Sequence, residues 1–520
     1  MRNFVIPIGI FVISLAIFTF RSDVIGLEFK GDENFYFQSS RQMVEEGDWI
    51  TPYYFKKPRF EKPVLYYWIV ASLFKFFDMN WKIARLPAAA SMALVVIITY
   101  LFGLRFFNRG VGILSSLVLI TSIAVFRYSR LVLPEAFFVL AISLSVYLMV
   151  KKDYTFSYVV MGLAMLTKGP IGLILPIFIM AGYRYGMGEK GFFKEARLLR
   201  GVFIALLISL PWFILMIKTH GRPYIDHIFF RETIQRIGSL GTTTRLSIKT
   251  MLNYLKALGY FIPVVFIFYL PWSLLFIPSI REASRRITKK DPSLNGAVFS
   301  LVWFFAILIF FTFLGEKHRH YMLAVAVPFG LMTGNYLYNA VLFKKRFKGV
   351  FIFAVLLVFF FGFESIKLAI SEEVGGLGAM FNKMSYTIAD GDNVGIGSHS
   401  IIPQQVEVYV NHPVGMNCYK WPSREESDIA TMRNLNRVFL KKNNSFLIIK
   451  ARDFDKYITP HTKKRLTFLG RGYIYNKEID AYGILDAIRR MDREAFLDLF
   501  REKVYFVTTK SNEHMTYGAP

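Results

Sequence analysis

A series of apolar runs, each about as long as a lipid bilayer is thick, constrains this chain more than any other feature of its sequence. The runs recur from residue 4 to residue 369, and short segments rich in Lys and Arg separate them. A helix needs about 20 apolar residues to cross a hydrocarbon core of roughly 30 Å. A soluble protein of 520 residues would not carry so many such runs, so the sequence predicts a polytopic α-helical membrane protein.

The runs predict about eleven transmembrane helices, counted by the length that a bilayer requires. The predicted spans are residues 4–20, 86–104, 111–127, 134–150, 155–167, 170–183, 201–217, 251–279, 296–314, 321–341 and 349–369. Two further pieces, 33–46 and 63–78, are amphipathic. We expect the second to lie along the membrane interface, because Tyr66, Tyr67 and Trp68 are residue types that favour the interface.

The positions of the basic residues predict the orientation of the chain. Between the spans, Lys and Arg are densest in residues 105–109, 151–152, 184–200, 281–290 and 344–348. Because Lys and Arg collect in cytoplasmic loops, we expect these connections and the N-terminus in the cytoplasm. The first loop, residues 21–85, is then extracytoplasmic. No small-residue cleavage site follows the first run, so we interpret that run as a retained span and not as a cleaved signal peptide.

The net charge of +26 does not indicate a nucleic-acid-binding protein, because of where the charge lies. The basic residues separate apolar runs, and no nucleic-acid-binding motif accompanies them. Those in the predicted outer loops suit anionic lipid or phosphate partners. The single cysteine, Cys418, excludes an intrachain disulfide.

The tail of the chain has the composition of a soluble domain. Its patterned segments are 393–397 and 445–449 for strands, and 403–410 and 490–502 for helices. We therefore predict two domains: a transmembrane domain (1–371), which includes a catalytic first outer loop, and a small extracytoplasmic α/β domain (372–520).

The first outer loop contains the first group of candidate site residues. Asp32 and Glu33 open the amphipathic piece, where acidic residues cap a helix. A carboxylate there can also act as general base towards an acceptor hydroxyl. Lys62, which follows Glu61, either forms a solvated ion pair or neutralises a phosphate. Arg59 lies just upstream, so the loop can receive an anionic leaving group.

A second group lies at the ends of later spans. Arg130 and Glu135 lie at the outer end of the third and fourth spans, where an unpaired carboxylate is costly. Glu135 is either a polar cap or a catalytic group. Lys168 is the tip of a predicted hairpin between the short spans 155–167 and 170–183. It either reaches the headgroups or binds a lipid phosphate from within the bilayer plane.

The loop after span 296–314 brings a third group to the same predicted side. This loop contains Lys317, His318, His320 and Tyr321. Imidazole and carboxylate ligands suit zinc, so a histidine can form a metal site with Glu61, although solvated histidines are common in such loops. The histidines considered are His220, His227, His318 and His320. The convergence of these groups on one face is the main argument for a site.

Several short motifs together resemble a known family. In chain order they are Asp32-Glu33 with Tyr36, Ser40-Arg41, Gly47-Asp48-Trp49, Phe60-Glu61-Lys62-Pro63, Ala84-Arg85-Leu86-Pro87, Leu166-Thr167-Lys168-Gly169-Pro170 and His320-Tyr321. This ordered set resembles the ArnT-like, dolichyl-phosphate-mannose-protein mannosyltransferase-related GT-C glycosyltransferases. The resemblance covers residues 1–340 approximately and adds little for the C-terminal domain.

The resemblance implies a multi-spanning GT-C enzyme that transfers a sugar, with inversion, from a polyprenyl phosphate to an acceptor at the outer face of the membrane. At matching positions, Asp32 is the carboxylate at the catalytic cavity, Lys62 contacts the donor phosphate, and Glu61 can take part in metal binding. Glu135 stands where these proteins usually have an aspartate. The usual Lys-Leu-Pro-His-Tyr pattern is altered here at its two central positions.

These arguments give one set of candidate site residues. The expected catalytic residues are Asp32 and Glu135, and the expected phosphate-binding residues are Lys62, Arg59 and Lys168. The expected acceptor or cavity residues are Glu33, Tyr36, Arg130, Lys317, His320 and Tyr321. Glu61 and His318 are candidate ligands of a divalent metal, zinc or magnesium.

We therefore expect a multi-pass glycosyltransferase of the inner (plasma) membrane. Lipid A is the preferred acceptor, with aminoarabinose or a related pentose or uronic acid as the sugar. A protein O-mannosyltransferase, or transfer to another glycan or lipid, stays open. A polyprenyl-linked sugar transporter is a rival class, but the sequence lacks the two related halves typical of transporters. A non-catalytic membrane anchor would not need so many cations on the outer face.

Overall fold

The computed structural model describes residues 2–22, 31–228, 259–288, 294–314, 317–342, 357, 360–362, 393–396, 445–475 and 501–508. By its internal contacts the chain divides into two units. The first consists of residues 1–23 and 36–363, and the second of residues 24–35 and 364–520. The described part of the first unit is helical apart from one short hairpin, and the described strands of the second form a sheet.

The helices up to residue 342 follow the apolar and amphipathic runs of the sequence. They are α1 (Arg2–Thr19), α2 (Gly31–Glu46), α3 (Leu65–Phe76), α4 (Trp81–Phe106), α5 (Arg109–Ile120), α6 (Ile123–Tyr128), α7 (Glu135–Val150), α8 (Tyr154–Lys168), α9 (Ile171–Gly186), α10 (Phe192–Glu195), α11 (Leu198–His220), α12 (Arg222–Ile225), α13 (Gly259–Phe268), α14 (Phe276–Thr288), α15 (Leu294–Phe313) and α16 (Ala326–Tyr336). The hairpin between α2 and α3 pairs β1 (Tyr53–Tyr54) with β2 (Lys57–Pro58). The predicted amphipathic helices 33–46 and 63–78 are confirmed as α2 and α3.

Polar side chains start several of these helices. Asn80, Asn108 and Asp153 each accept a hydrogen bond from the backbone N–H three residues later. Each bond satisfies one of the N–H groups that the first turn of a helix leaves without a partner. α4 and α5 then pack closely, because Gly103 and Gly112 face each other. A Cβ on Gly103 would lie 2.4 Å from the Cα of Gly112, so only glycine fits at this crossing.

Among the described residues, three helices are long and apolar enough to cross a membrane: α4, α11 and α15. A fourth qualifies if α13 and residues 272–288, which meet at a sharp bend, are counted as one span. Several other apolar helices are shorter. The structure therefore agrees with a polytopic helical membrane protein, while the count of about eleven spans stays a prediction.

Three predicted spans differ from the structure. The predicted span 111–127 is broken into α5 and α6, where Thr121 and Ser122 donate hydrogen bonds to the carbonyls of Leu117 and Val118 and compete with the helical bonds. The predicted span 251–279, which the structure describes only from residue 259 onwards, is not one straight helix. Its helix direction changes by 118° between α13 and residues 272–288, and Pro271, which lacks an N–H, lies at the break.

The third difference concerns the end of the membrane region. The predicted span 321–341 begins as a 3-10 helix (Arg319–Val325), continues as α16 and ends as a π-helix (Leu337–Leu342). The predicted span 349–369 lies outside the described residues, except for helical positions 357 and 360–362.

The described part of the C-terminal unit contains a four-stranded sheet in the order β3-β4-β6-β5. Its elements are β3 (Asn393–Ile396), β4 (Ser445–Lys450), α17 (Ala451–Tyr457), α18 (Pro460–Lys463), β5 (Thr467–Tyr475) and β6 (Arg501–Thr508). β3 is parallel to β4, and β6 is antiparallel to β4 and β5. Leu447, Ile449 and Val507 pack against Ile458 in a small core.

The sequence predicted part of this sheet. The strands expected at 393–397 and 445–449 are confirmed as β3 and β4. The helix expected at 403–410 lies outside the described residues. The helix expected at 490–502 lies outside them up to residue 500, and its last two positions begin β6 instead.

Candidate functional site

Three side chains from distant parts of the sequence meet at one buried carboxylate. The Nζ of Lys168 donates a hydrogen bond to Oε1 of Glu135 at 3.0 Å, and Nε2 of His320 lies 3.6 Å from the same oxygen. The side chains of Glu135 and Lys168 are 10% and 12% exposed. Oε2 of Glu135 is buried and has no hydrogen-bond partner in the described part of the chain. The carboxylate is thus held by two groups at one oxygen only.

The local structure explains how these three side chains meet. Glu135 is the first residue of α7, directly after Pro134. Lys168 is the last residue of α8, which ends because Gly169 adopts a positive φ of 76° and turns the chain into α9. This turn is the hairpin tip that the sequence predicted. His320 lies in the 3-10 helix that precedes α16.

The cluster lines a small cavity with mainly apolar walls. The lining residues are Glu135, Phe138, Val139, Lys168, Ile171, Phe311, His320, Tyr321 and Ala324. The rings of Phe311 and Tyr321 stack at 4.3 Å, and the Nζ of Lys168 lies 5.3 Å from the centre of the Phe138 ring. Of the predicted residues, the structure therefore brings Glu135, Lys168, His320 and Tyr321 to one cavity. Phe138 and Phe311 were missed, because their apolar runs carry no signal that separates a cavity wall from a membrane helix.

The predicted first outer loop holds a second group, which surrounds Arg59. The Nε of Arg59 donates a hydrogen bond to the hydroxyl of Tyr67 at 3.0 Å and lies 3.6 Å from Oε2 of Glu61. The rings of Tyr36 and Tyr67 stack at 4.8 Å. Burial lowers the pKa of Arg59, but Tyr67, Glu61 and Tyr36 raise it by more, so the guanidinium keeps its charge. The Nζ of Lys62 donates to the carbonyl of Glu61 at 3.0 Å.

This loop is fixed to α11 by contacts that the sequence did not reveal. The indole of Trp212 donates a hydrogen bond to the carbonyl of Ile50 at 2.9 Å. Nε2 of His220 lies 2.8 Å from the hydroxyl of Thr51, and the ring of Phe60 packs against His220 at 5.1 Å. His220, considered above as a metal ligand, thus anchors the loop. The basic residues of the loop are therefore presented on a fixed backbone.

Two predicted cavity residues have structural contacts instead. Arg130 donates hydrogen bonds to the carbonyls of Phe20 and Arg21 at 2.7 and 2.9 Å, and so caps the C-terminal end of α1. The ammonium of Lys317 donates to the carbonyls of Thr312 and Leu314 and caps α15 in the same way. Burial lowers the pKa of Lys317. Neither residue is among the lining residues of the cavity.

Asp32 and Glu33 lie in the first turn of α2, where the helix N-terminus favours acidic residues, but Asp32 is the second residue of the helix and not its N-cap. Asp32 is exposed, whereas Glu33 is fully buried. Both belong to the second unit of the chain, and the Glu135 cluster belongs to the first. The catalytic role of Asp32 therefore stays a prediction.

The metal site expected from the sequence is not assembled by the described residues. They contain no group of three His, Cys, Asp or Glu side chains that fits a metal ion. Glu61 contacts Arg59, and the ring of His318 stacks on that of His320 at 5.2 Å. These contacts do not form a ligand set, so we assign no step to a metal.

Comparison with a solved structure defines the class of the fold. The structure is similar to the crystal structure of ArnT from Cupriavidus metallidurans bound to undecaprenyl phosphate, with a TM-score of 0.65 and 18% sequence identity. The similarity covers 96% of this chain and 97% of that chain. At this identity the likeness shows the fold, which is the polytopic membrane GT-C fold that the resemblance implied.

Sequence comparisons point to the family. Residues 61–215 match the family model described as dolichyl-phosphate-mannose-protein mannosyltransferase. An uncharacterized protein of Aquifex aeolicus is 28% identical over 346 residues, which are 66% of this chain and 76% of that protein. The undecaprenyl phosphate-alpha-4-amino-4-deoxy-L-arabinose arabinosyl transferase 1 of Pseudomonas fluorescens is 28% identical over 321 residues, 58% of this chain and 54% of that protein. The match thus spans about half the length of this named relative.

Together these findings confirm the predicted resemblance to the ArnT-like GT-C glycosyltransferases, and with it the predicted class of enzyme, a membrane glycosyltransferase.

Proposed function

We propose that this protein transfers a sugar from a polyprenyl-phosphate donor to lipid A at the outer face of the inner membrane, with aminoarabinose or a related sugar as the transferred group. One observation carries the proposal. The family match over residues 61–215 contains both members of the buried Glu135–Lys168 pair, and that pair lines a cavity. The named relative supplies the class of donor, because its description specifies an undecaprenyl phosphate-linked aminoarabinose.

The proposed reaction is a displacement with inversion. An acceptor oxygen attacks the anomeric carbon of the sugar from the face opposite the phosphate. The bond between that carbon and the phosphate oxygen breaks, and the polyprenyl phosphate leaves with the bonding electrons. If the acceptor is a hydroxyl, a carboxylate takes its proton. An ionised phosphate acceptor carries no such proton and needs only orientation.

We assign the leaving phosphate to Lys62 and Arg59 of the first outer loop. Cations that are already in place where negative charge develops stabilise a transition state without reorganisation. The guanidinium of Arg59 is positioned by Tyr67 and Glu61, and the loop is anchored to α11 through Trp212. These contacts support a rigid, permanently charged site. A donor with a long apolar tail requires that the proposed site opens sideways to the bilayer.

We assign Glu135 to the sugar or the acceptor. Its Oε1 is held by Lys168 and His320, while the other carboxylate oxygen makes no hydrogen bond to the described residues. A hydroxyl or amine of a substrate that enters the cavity can satisfy that second oxygen after a small side-chain movement. Lys168, assigned from the sequence to the phosphate, here compensates the charge of Glu135. Asp32 is proposed as the general base.

A protein O-mannosyltransferase is the second candidate, because the matching family model carries that description. The need for a general base distinguishes the two candidate functions. A protein Ser or Thr acceptor must lose a proton, whereas an ionised lipid A phosphate does not.

The proposed topology has about eleven spans, judged by the length that a bilayer requires, with the C-terminal α/β domain outside.

Mass spectrometry of lipid A and of surface proteins, from cells with and without the gene, tests the proposal. We expect the gene to add one sugar mass to lipid A. A sugar found only on proteins would replace lipid A by the second candidate, and no change in either would contradict both.

Donor binding gives a sharper test with purified protein. We expect Lys62→Ala to weaken the affinity for the polyprenyl-phosphate donor by tenfold or more, because a charge-assisted contact is lost. Lys75→Ala removes an exposed lysine at the end of α3 and should leave affinity unchanged. Equal donor affinity in Lys62→Ala and the unmodified protein would overturn the phosphate assignment.

A further inference from the structure

Helix α14 lies outside the candidate site and has two different faces. Its inner face packs against α15 and α16, where the ring of Phe276 lies 5.2 Å from that of Phe304 and 5.7 Å from that of Phe329. Ser279 and Ala283 continue this buried side. The packing fixes the orientation of the helix about its own axis, so its other face must point away from the protein.

The outer face changes from apolar to basic along its length. Leu274 and Ile277 are 57% and 61% exposed, and Arg281 and Arg285 follow as exposed residues. Ile277, Arg281 and Arg285 are four residues apart and therefore lie on one side of α14, whereas Leu274 belongs to the 3-10 turn Trp272–Leu275 directly before the helix. We call these four residues the α14 outer face. Within the described part of the chain, Arg281 and Arg285 make no ion pair.

A neighbouring arginine shows that not every arginine side chain of α14 is exposed. Arg286, the next residue, pairs with Glu282 at 3.1 Å, and both side chains are largely buried. The one acidic residue of the helix is therefore already neutralised by a different arginine. In the sequence, residues 281–290 contain five basic residues and one acidic residue, so the segment as a whole is strongly cationic.

A sharp bend before the helix turns α14 away from the direction of α13. α13 is an apolar helix, and residues 272–288 turn by 118° from its direction. Most of the length of α14 therefore runs across the axis of α13. If α13 crosses the bilayer along its normal, the bend places α14 about 28° (118° minus 90°) from the bilayer plane. Exposed apolar residues next to exposed arginines suit the boundary between acyl chains and headgroups, because the apolar side chains enter the acyl region while the long Arg side chains reach the phosphates.

We propose that the α14 outer face binds the headgroups of anionic phospholipids. Leu274 and Ile277 enter the boundary between acyl chains and headgroups, while Arg281 and Arg285 contact lipid phosphates. The charge complementarity selects this occupant over a protein, because the apolar part is only two side chains wide and the basic part carries no compensating acid. A guanidinium binds phosphate through paired hydrogen bonds. Neutral lipid headgroups carry their own ammonium groups, so a surface of such headgroups does not favour the contact between guanidinium and phosphate.

The test measures how strongly the full-length protein, in nanodiscs, prefers phosphatidylglycerol to phosphatidylcholine, for example with spin-labelled lipids. We expect Arg281→Gln/Arg285→Gln to reduce the association with phosphatidylglycerol by about fivefold for each arginine removed, since a basic residue near an anionic surface has about that effect. The preference of the unmodified protein should also weaken as salt rises. Arg281→Lys/Arg285→Lys should recover most of it.

The matched control is Lys464→Gln/Arg465→Gln, which removes the same charge from exposed positions of the C-terminal unit. It should leave the lipid preference unchanged. Inorganic phosphate at millimolar concentration should not abolish the preference, because the apolar residues bind the lipid and not the free ion. Leu274→Ser/Ile277→Ser should lower the association with both lipids.

Two results would overturn the proposal: an unchanged preference in Arg281→Gln/Arg285→Gln, or an equal loss in the control, which would indicate net charge alone. Both glutamine variants replace exposed side chains, and unfolding temperatures close to that of the unmodified protein will show that they fold.

Discussion

The carboxylates of Glu135 and Glu195 each contact two basic side chains, but they differ in whether both of their oxygens have a hydrogen-bond partner. Glu135 is buried in the cavity, contacts Lys168 and His320 through one oxygen, and has a second oxygen without a hydrogen-bond partner in the described residues. Glu195, at the end of α10, uses both oxygens. One accepts from Lys152 at 3.0 Å and from the Tyr154 hydroxyl at 3.1 Å, and the other from Arg184 at 2.5 Å.

The difference separates a candidate site from a structural ion cluster. Glu195 is 34% exposed, and its partner Lys152 is 65% exposed, so water can replace any lost contact. The cluster joins the start of α8, the end of α9 and α10. Glu135 is shielded from water, and its second oxygen, which has no hydrogen-bond partner in the described residues, lies beside a cavity. A polar group that is buried but incompletely paired is costly for folding, and such groups occur where a ligand completes the arrangement.

The largest expected effect is the difference in stability between removing the lysine of the Glu135 cluster and removing the lysine of the Glu195 cluster. Lys168→Met leaves Glu135 as a buried charge without its main partner, and we expect a loss of about 3–5 kcal/mol in stability. Lys152→Met at the exposed cluster should cost at most about 1 kcal/mol. Thermal unfolding in detergent, followed by tryptophan fluorescence, measures both. Equal losses would mean that burial does not distinguish the clusters, and Glu135→Gln/Lys168→Met should recover stability relative to Lys168→Met.

The next effect is on transfer activity. Glu135→Gln keeps the size of the side chain and removes the charge, and we expect the rate of sugar transfer to fall about 100-fold or more. Glu195→Gln is the matched change. It should retain the rate within about twofold, because that carboxylate contacts the residues of a partly exposed ion cluster and not the cavity. The assay uses purified protein with donor and acceptor. Full activity in Glu135→Gln would remove the residue from the site.

Asp32→Asn extends the comparison to a carboxylate at a helix start. We expect a loss of about 100-fold or more if the acceptor is a hydroxyl, because the general base is lost. The loss should be smaller if the acceptor is an ionised phosphate, which has no proton to give up. Glu46 is an exposed carboxylate at the other end of the same helix, and Glu46→Gln should leave the transfer rate unchanged. An unchanged transfer rate in Asp32→Asn with a hydroxyl acceptor would exclude the base role.

The smallest expected effect is a dependence on pH. The hydrogen bond from Lys152, together with Tyr154 and Arg184, lowers the pKa of Glu195 against the opposing effect of burial. A carboxylate with a lowered pKa stabilises the folded state above its unfolded pKa of about 4.3, and this contribution disappears as the pH falls through the folded value. The difference in unfolding temperature between the unmodified protein and Glu195→Gln should therefore be present at pH 7 and should shrink as the pH falls below about 4.3. A difference that stays constant as the pH falls below this value would contradict this origin.

Much of the helical fold could be predicted from the sequence, because an apolar run of sufficient length has few alternatives in a membrane. The amphipathic helices α2 and α3 and the hairpin tip at Lys168 follow from local pattern and from Gly169-Pro170. The break in 111–127 and the bend near Pro271 could not be predicted with equal ease. Both segments are continuously apolar, and what interrupts them is the local competition of hydroxyl groups or a proline for backbone hydrogen bonds.

Candidate site residues were predicted by chemical type and not by partner. Glu135, Lys168, His320 and Tyr321 were named from their charges or their position between spans, and the structure places them at one cavity. Arg130 and Lys317 have the same chemical character, yet they cap helices α1 and α15. Nothing in a single sequence states whether an arginine will meet a carbonyl or a ligand.

By itself, the sequence determined that this is a helical membrane protein with charged groups between its apolar runs, since the bilayer length and the cost of buried charge act locally on each run. Its short motifs added the resemblance to the GT-C glycosyltransferases. Only the tertiary structure decided which of those charges pair with one another. Lys168 and Glu135 are 33 residues apart, and His320 is far beyond both. Their meeting depends on how α7, α8 and the 3-10 helix before α16 pack, which is a property of the whole core and not of any one segment.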